Sequence, residues 1–130
     1  MNPEEFIEKL NGVRELMTQE KYSDAIKILD NLKNIEKSSG DNYNYNLTHQ
    51  LYQLDSNCRS AFHQQIILKQ LKNISIKKKS ISLKELNQVL RKKIGLNISE
   101  EILRREIELL ILRNLLKCEL KGNQLVFSSP

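Results

Sequence analysis

Residues 80–95 read SISLKELNQVLRKKIG, and their pattern changes after Ser82. The first three residues alternate polar and apolar side chains, which is typical of a short strand. Apolar residues then recur at helical spacing from Leu83 to Leu90, which predicts a helix of about three turns. Gly95 suits the left-handed residue that commonly follows a helix. The stretch therefore predicts a short strand that leads directly into a short helix.

Another helix and a hairpin are predicted downstream of this stretch. Asn97 or Ser99 can cap a helix whose apolar residues continue at helical spacing to Ile111. Residues 115–120 then alternate like a strand, and residues 124–128 return as its partner after a glycine turn. Helix, short strand, helix, helix and hairpin is the element order of a winged helix. An unrelated small α+β domain is the alternative.

Two helical segments precede the winged helix. Asn2 and Pro3 suit the start of a helix, and the link near Thr18–Lys21 is so short that two antiparallel helices are expected in residues 1–40. The segment 38–42 (SSGDN) breaks the periodicity and predicts a boundary loop. Asn46 or Thr48 can cap the next helix.

The middle of the chain has one long apolar stripe. The stripe fits one long helix or two helices with a kink, and it consists of Leu47, Leu51, Leu54, Cys58, Phe62 and Ile66. We therefore predict a mainly α fold that becomes α+β at the C-terminus. Its parts are a helical hairpin in residues 1–40, a long linking helix in residues 41–79 and a winged helix with a two-stranded wing in residues 80–130. One continuous compact body fits these elements as well.

The charge is uneven along the chain, whose net charge is +5. Residues 1–40 hold eight acids and six bases, residues 41–82 hold two and six, and residues 83–130 hold six and nine. An acidic partner for the second and third segments is therefore conceivable. No apolar run approaches the length of a membrane span and no signal sequence is visible, so we expect a cytoplasmic protein without membrane insertion.

Residues that could carry catalysis are scarce. His49 and His63 have no cysteine or aspartate near them at metal-ligand spacing, and Cys58 and Cys118 form no CxxC pair. Two cysteines in apolar surroundings are typical of buried free thiols in a reducing compartment. The sequence also lacks a glycine-rich phosphate loop. We therefore expect no enzyme, no cofactor and no metal site.

The last predicted helix carries more apolar residues than one buried face needs. Leu109-Leu110-Ile111-Leu112 is an unbroken apolar run, and an exposed apolar surface of that size is typical of a protein contact. Coverage by the long helix of residues 47–72 explains the run equally well. The candidate protein-binding residues in this helix and in the wing are Leu109, Leu112, Leu116, Leu125 and Phe127.

A DNA-binding transcriptional regulator is the alternative function, because winged helices can place their last helix in the major groove. Three glutamates, at positions 101, 106 and 108, interrupt the basic residues of that helix and would repel phosphate. Basic runs at helix ends are also ordinary solvated surface. The candidate nucleic-acid-binding residues are Lys77, Lys78, Lys79, Arg91, Lys92, Lys93, Arg104, Arg105 and Lys121.

Three segments carry a resemblance to a known family: FHQQIIL at 62–68, ISLKEL at 81–86 and GNQLVF at 122–127. Together with helical hairpins that lead into a terminal winged helix, they resemble the PCI domain. That domain occurs in subunits of the proteasome lid, the signalosome and an initiation-factor complex. The resemblance covers about residues 47–128 and implies a scaffold subunit of a larger complex that assembles through its winged-helix and helical faces. Its partner would be another protein or a second copy of itself, with nucleic acid as second choice.

Overall fold

The computed structural model describes residues 2–38 and 45–128. The chain divides into two compact units, Met1–Phe62 and His63–Pro130. The described part of the first unit is helical, and the second unit adds a small sheet to its helices. The predicted mainly α fold with an α+β C-terminus is thus confirmed. Of the predicted boundary loop, residues 39–42 lie outside the described residues.

The first unit begins with the predicted helical hairpin. Helix α1 (Pro3–Thr18) is capped by Asn2, whose Oδ1 accepts a hydrogen bond of 2.8 Å from the backbone N–H of Glu5. Helix α2 (Tyr22–Ser38) follows after a short turn in which Glu20 has a φ of 59°. Because the turn is this short, the apolar faces of the two helices meet. Their buried residues are Phe6, Leu10, Val13, Ala25, Leu29 and Leu32.

Helix α3 (Tyr45–Lys77) is one long helix. Of the two predicted alternatives, one long helix or two helices with a kink, the structure has the first. Neither Asn46 nor Thr48 caps it, because the helix already begins at Tyr45. Its N-terminal half completes the core of the first unit with Leu47, Leu51, Leu54 and Cys58.

The predicted apolar stripe does not continue through the C-terminal half of α3. Phe62 and Ile66 are only half-buried there, whereas Gln64, Ile67 and Leu71 are buried. The buried face changes because this half of the helix contributes to a different core, that of the second unit.

An ion-pair network joins α2 to α3 within the first unit. Asp55 of α3 accepts from the Lys33 Nζ and from the Arg59 Nε, each at 3.1 Å. Asp30 of α2 pairs with the same Arg59. The Asp55 side chain is only 12% exposed, so its two cationic partners offset the cost of desolvating it. Polar residues thus hold the two helices in register beside the apolar core.

The second unit has the element order of a winged helix. After the end of α3 come strand β1 (Ser80–Ser82), helix α4 (Leu83–Val89), a π-helical turn (Leu90–Ile94) and helix α5 (Glu100–Leu112). Strands β2 (Cys118–Lys121) and β3 (Gln124–Phe127) form an antiparallel hairpin at the place of the predicted wing, and we call this hairpin the wing.

Side-chain caps and glycines fix where the elements of the second unit begin and end. Ser82 caps α4 and Ser99 caps α5. Each hydroxyl accepts a hydrogen bond from the backbone N–H three residues further along the chain, that of Glu85 and that of Ile102 respectively. Gly95 ends the π-helical turn in the predicted left-handed conformation, with a φ of 78°. Gly122 has a φ of 61° and permits the tight turn between β2 and β3.

The antiparallel sheet has three strands in the order β1-β3-β2. The wing hairpin was predicted, and β1 joins it by pairing with the middle strand. Leu125 of β3 lies opposite Ile81 of β1 and opposite Leu120 of β2. The sheet closes one side of a core whose buried residues are Ile67, Leu71, Ile81, Leu83, Leu86, Leu90, Leu103, Ile107, Leu110, Cys118 and Leu125.

One buried amide connects α4 with the segment that leads into α5. Asn87 is 5% exposed, and its Nδ2 donates to the carbonyl of Ile98 at 2.8 Å. Its Oδ1 accepts from the Arg91 Nη2 at 3.2 Å. The amide therefore fixes the loop before α5 and one turn of the helix after itself, and so helps to orient α5.

We predict that Asn87→Ala lowers the free energy of unfolding by about 1–3 kcal/mol, because it removes a buried amide and its hydrogen bonds to the Ile98 carbonyl and to Arg91. Urea denaturation followed by circular dichroism measures this loss. The matched control is Gln88→Ala at the exposed neighbouring position, which should change the free energy by less than about 0.5 kcal/mol. Equal losses for both variants would contradict the role assigned to the Asn87 amide.

Candidate interaction surfaces

Three leucines are exposed at the C-terminal end of α5. Leu112 is 77% exposed, Leu115 49% and Leu109 37%, and we refer to these three residues as the leucine surface. The opposite face of α5 is buried in the core through Leu103, Ile107 and Leu110. The unbroken apolar run therefore supplies two faces of the helix, of which the core covers one.

The other predicted protein-binding residues are less exposed. Leu116 and Phe127 are half-buried against the core, and Leu125 has no exposed surface at all. Leu125 cannot touch a partner in this structure, because it lies on the middle strand with its side chain in the core. The sequence could show that β3 alternates, but not which of its faces is buried.

Leu115 is the surface residue that the sequence analysis missed. Asn114 adopts a left-handed conformation with a φ of 58°, and the N–H of Leu115 donates to the carbonyl of Leu110 at 3.0 Å. This is the hydrogen-bonding pattern that commonly ends a helix. It turns the chain after α5 and leaves Leu115 49% exposed, and Asn114 was the signal for it in the sequence.

A groove of about 650 Å³ runs between α5 and strand β2, which we call the wing groove. The groove is shallow, and its apolar lining includes Leu112, one of the three residues of the leucine surface. Its rim carries charges of both signs. The lining residues are Arg104, Glu108, Ile111, Leu112, Cys118, Glu119 and Leu120.

Arg104, a candidate for base contacts, is held by the wing. Its Nη2 donates to the carbonyl of Gly122 at 2.8 Å and to the Oδ1 of Asn123. Its Nη1 lies 4.0 Å from a carboxylate oxygen of Glu108. The guanidinium thus ties the wing to α5, and its Nη2 is engaged within the protein.

Arg105 and Lys121 are exposed but lie beside carboxylates. The Nε of Arg105 is 3.5 Å from Oε1 of Glu106, which is fully buried. The Nζ of Lys121 is 3.5 Å from a carboxylate oxygen of Glu119. Arg104, Arg105 and Lys121 therefore each have an acidic neighbour, which weakens their attraction for phosphate.

The remaining basic candidates lie at the other end of the second unit. Lys77, Lys78 and Lys93 line one groove of about 490 Å³, which we call the basic groove, so the structure brings two separate basic runs together. Lys79, Arg91 and Lys92 are exposed without lining it. Arg91 also donates to Asn87.

The residues considered for metal binding are not clustered. Among the described residues, no group of three or more histidine, cysteine or acidic side chains could hold a metal ion. The ring of His49 stacks on that of Tyr45 with 6.1 Å between their centroids. Within residues 2–38 and 45–128, no helix combines the length and apolar character needed to cross a membrane.

Both cysteines are free thiols in apolar surroundings. Burial raises the pKa of the Cys118 thiol to about 11. Burial and the nearby Asp55 carboxylate raise the pKa of Cys58, although Arg59 opposes this. Because the thiolate is the reactive form, both side chains are weak nucleophiles near neutral pH.

No protein-family model, no curated protein and no solved structure matches this chain. Its possible functions therefore follow from the surfaces themselves.

We predict that Arg104→Ala loosens the wing. Loss of the bonds to Gly122 and Asn123 should cost about 1 kcal/mol, since Arg104 is partly exposed and solvent screens its charge. Hydrogen exchange of the amides in residues 118–127 should then be about fivefold faster. Lys92→Ala, which removes an exposed cation of the second unit away from the wing hairpin, is the control and should leave these rates unchanged. Unchanged exchange in Arg104→Ala itself would refute the role of Arg104 in holding the wing.

We predict that Cys118 reacts slowly with iodoacetamide at neutral pH and that its rate rises until about pH 11. The thiolate is disfavoured by burial, so the thiol stays protonated well above its ordinary pKa. For the same reason, the contribution of this group to stability should be complete below about pH 9 and should decline as the pH rises toward 11. Mass spectrometry of the alkylated peptide gives the rate. In urea, the pH profile should return to that of an ordinary thiol, and an identical profile in native protein would contradict the prediction.

Proposed function

We propose that this protein is a non-enzymatic interaction subunit that binds another protein through the leucine surface and the adjoining wing groove. The exposure of Leu112, 77% at the edge of a concave site, is the observation that carries the proposal. Full burial of one leucine side chain is worth about 1.5–3 kcal/mol. An exposed leucine in the lining of a groove, with Leu109 one turn before it on the same helix, therefore gives a partner an apolar anchor.

The charges around the wing groove fit a protein partner better than a nucleic acid. Arg104, Glu108 and Glu119 place both signs on the rim, which can fix the register of a partner with mixed charges. A phosphate backbone would instead meet Glu108 and Glu119 with like charge. The exposed acids in the first turn of α5, Glu100 and Glu101, extend the same repulsion.

The resemblance to PCI domains supports the same proposal, since those domains assemble through winged-helix faces. Two free, buried thiols support an intracellular, reducing setting, which we include in the proposal as a cytoplasmic location. The partner we propose is a different protein, and self-association of the chain is a separate outcome of the experiment.

We predict that Leu112→Glu abolishes binding while the fold is retained, because the side chain is mostly exposed and a buried glutamate would be uncompensated in the complex. Proteins that co-purify stoichiometrically with the tagged wild type are identified and then tested individually as purified pairs by titration calorimetry. The affinity of a direct partner should fall at least about 100-fold with Leu112→Glu. The matched control is Ile7→Glu in α1, an exposed apolar residue of the first unit, which should bind as the wild type does.

Light scattering coupled to size-exclusion chromatography tests, in the same samples, whether the leucine surface binds a second copy of the chain instead of a different protein. A wild-type dimer that Leu112→Glu converts to a monomer would identify the partner as a second copy. Duplex DNA is the other alternative. Salt-sensitive retention of DNA that Arg104→Glu with Arg105→Glu removes, together with unchanged protein binding in Leu112→Glu, would overturn the proposal in favour of a regulator.

A further inference from the structure

A second concave site lies on the winged-helix unit, at a set of residues separate from the wing groove. The basic groove is formed where the last turns of α3 meet β1 and the end of α4. Its volume of about 490 Å³ is within the range of sites that accept a few side chains. Its lining residues are Gln70, Asn73, Ile74, Ile76, Lys77, Lys78, Ile81, Val89 and Lys93.

The charges that line this groove have a single sign. Three lysines and no carboxylate lie among its lining residues. Lys78 forms an ion pair with Glu85, which neutralises part of its charge. Neither Lys77 nor Lys93 makes an ion pair with any acidic residue in the part of the chain that the structure describes. These two ammonium groups therefore give the groove a positive potential that attracts an acidic ligand.

The apolar lining of the groove narrows the choice of ligand. Ile74, Ile76 and Val89 line the groove together with the lysines, and Ile76 is 82% exposed. An exposed isoleucine gains from burial against an apolar side chain, but it offers nothing to a phosphate or a sugar. The lining also contains no aromatic ring on which a base could stack. A ligand that matches this lining combines negative charge with apolar side chains.

We propose that the basic groove binds an acidic amphipathic peptide segment of a second protein, whose carboxylates pair with Lys77 and Lys93 and whose apolar side chains cover Ile76. Such a segment would neutralise the charges of Lys77 and Lys93 and would also bury the exposed Ile76. The contact is independent of the leucine surface, because the two sites share no residue. One chain can therefore connect two different partners.

Fluorescence anisotropy with synthetic peptides tests the proposal. The probe is a short fluorescein-labelled peptide with leucine at every third or fourth position and glutamate or aspartate between them. Two labelled comparison ligands are the same peptide with lysine in place of each acid, and a short DNA duplex. We expect the acidic peptide to bind the 130-residue chain in a salt-sensitive manner and the lysine peptide not to bind.

Two variants locate the site. Lys77→Glu with Lys93→Glu should weaken binding of the acidic peptide at least about tenfold, since attraction at both positions becomes repulsion. Ile76→Ser should weaken it severalfold with little change in salt dependence, because it removes apolar burial and no charge. The matched control is Lys69→Glu with Lys84→Glu, two exposed lysines outside the groove that give the same change in net charge. This control should bind the acidic peptide within about twofold of the wild type, because exposed charges that do not line the site contribute little.

Four results would overturn the proposal. These are no binding of the acidic peptide at low salt, equal binding of the acidic and lysine peptides, equal weakening by the control variant, or tighter binding of the DNA duplex that depends on Lys77 and Lys93. The last result would assign the groove to nucleic acid. Leu112→Glu should leave peptide binding intact, so failure of this proposal and failure of the leucine surface as a protein site are distinguishable.

Discussion

Leu125 lies in the middle strand of the sheet, opposite Ile81 on one side and Leu120 on the other, and it has no exposed surface. Because β3 pairs with both neighbours, Leu125 joins β1, the strand that follows α3, to β2, the other strand of the wing. Strand β1 has only three residues and lies at the edge of the sheet. Without this contact it would be unstable, because short strands depend on burial for their stability. The positions of the wing groove and of the basic groove both follow from this sheet, since Leu120 lines one and Ile81 lines the other.

Polar contacts then decide how the elements around this core are oriented. Asn87 fixes the approach to α5 from inside, and Arg104 fixes the wing against α5 from outside. Both residues could have been counted as recognition groups, since amides and guanidinium groups are the usual readers of base edges. Here the Asn87 amide bonds to the Ile98 carbonyl and to Arg91, and the Nη2 of Arg104 bonds to Gly122 and Asn123. The charge that remains for a partner on the α5 face is therefore mixed in sign.

The sequence was sufficient to predict the elements whose causes are local. The Asn2 cap, the turn before Tyr22, Gly95 and the glycine turn of the wing each act within a few residues, and the structure contains all four. The buried face of the second half of α3 could not be predicted in this way. Burial of Gln64 and Ile67 in place of Phe62 and Ile66 depends on which core that half of the helix meets.

The same physical reason explains the errors at the candidate site. The alternation in β3 predicts that its side chains point to two opposite faces, but it does not say which face is buried. The pairing of β3 with β1 and β2 decides this and places Leu125 in the core. The convergence of Lys77 and Lys93 is likewise a property of the chain path, because each lysine alone is an ordinary cation at the end of a helix.

The two grooves differ in a way that bears on what a complex would look like. The wing groove has an apolar lining and a rim of both signs, so its attraction should be short-ranged and governed by fit. The basic groove has unpaired charge of one sign, which acts over about 10 Å at moderate salt and speeds the encounter with an acidic segment. A partner held at the first site would therefore be retained mainly by slow dissociation, and a segment at the second would be recruited quickly and released by salt. Because one groove favours apolar contacts and the other favours acidic segments, the two grooves are suited to two different partners rather than to a single one.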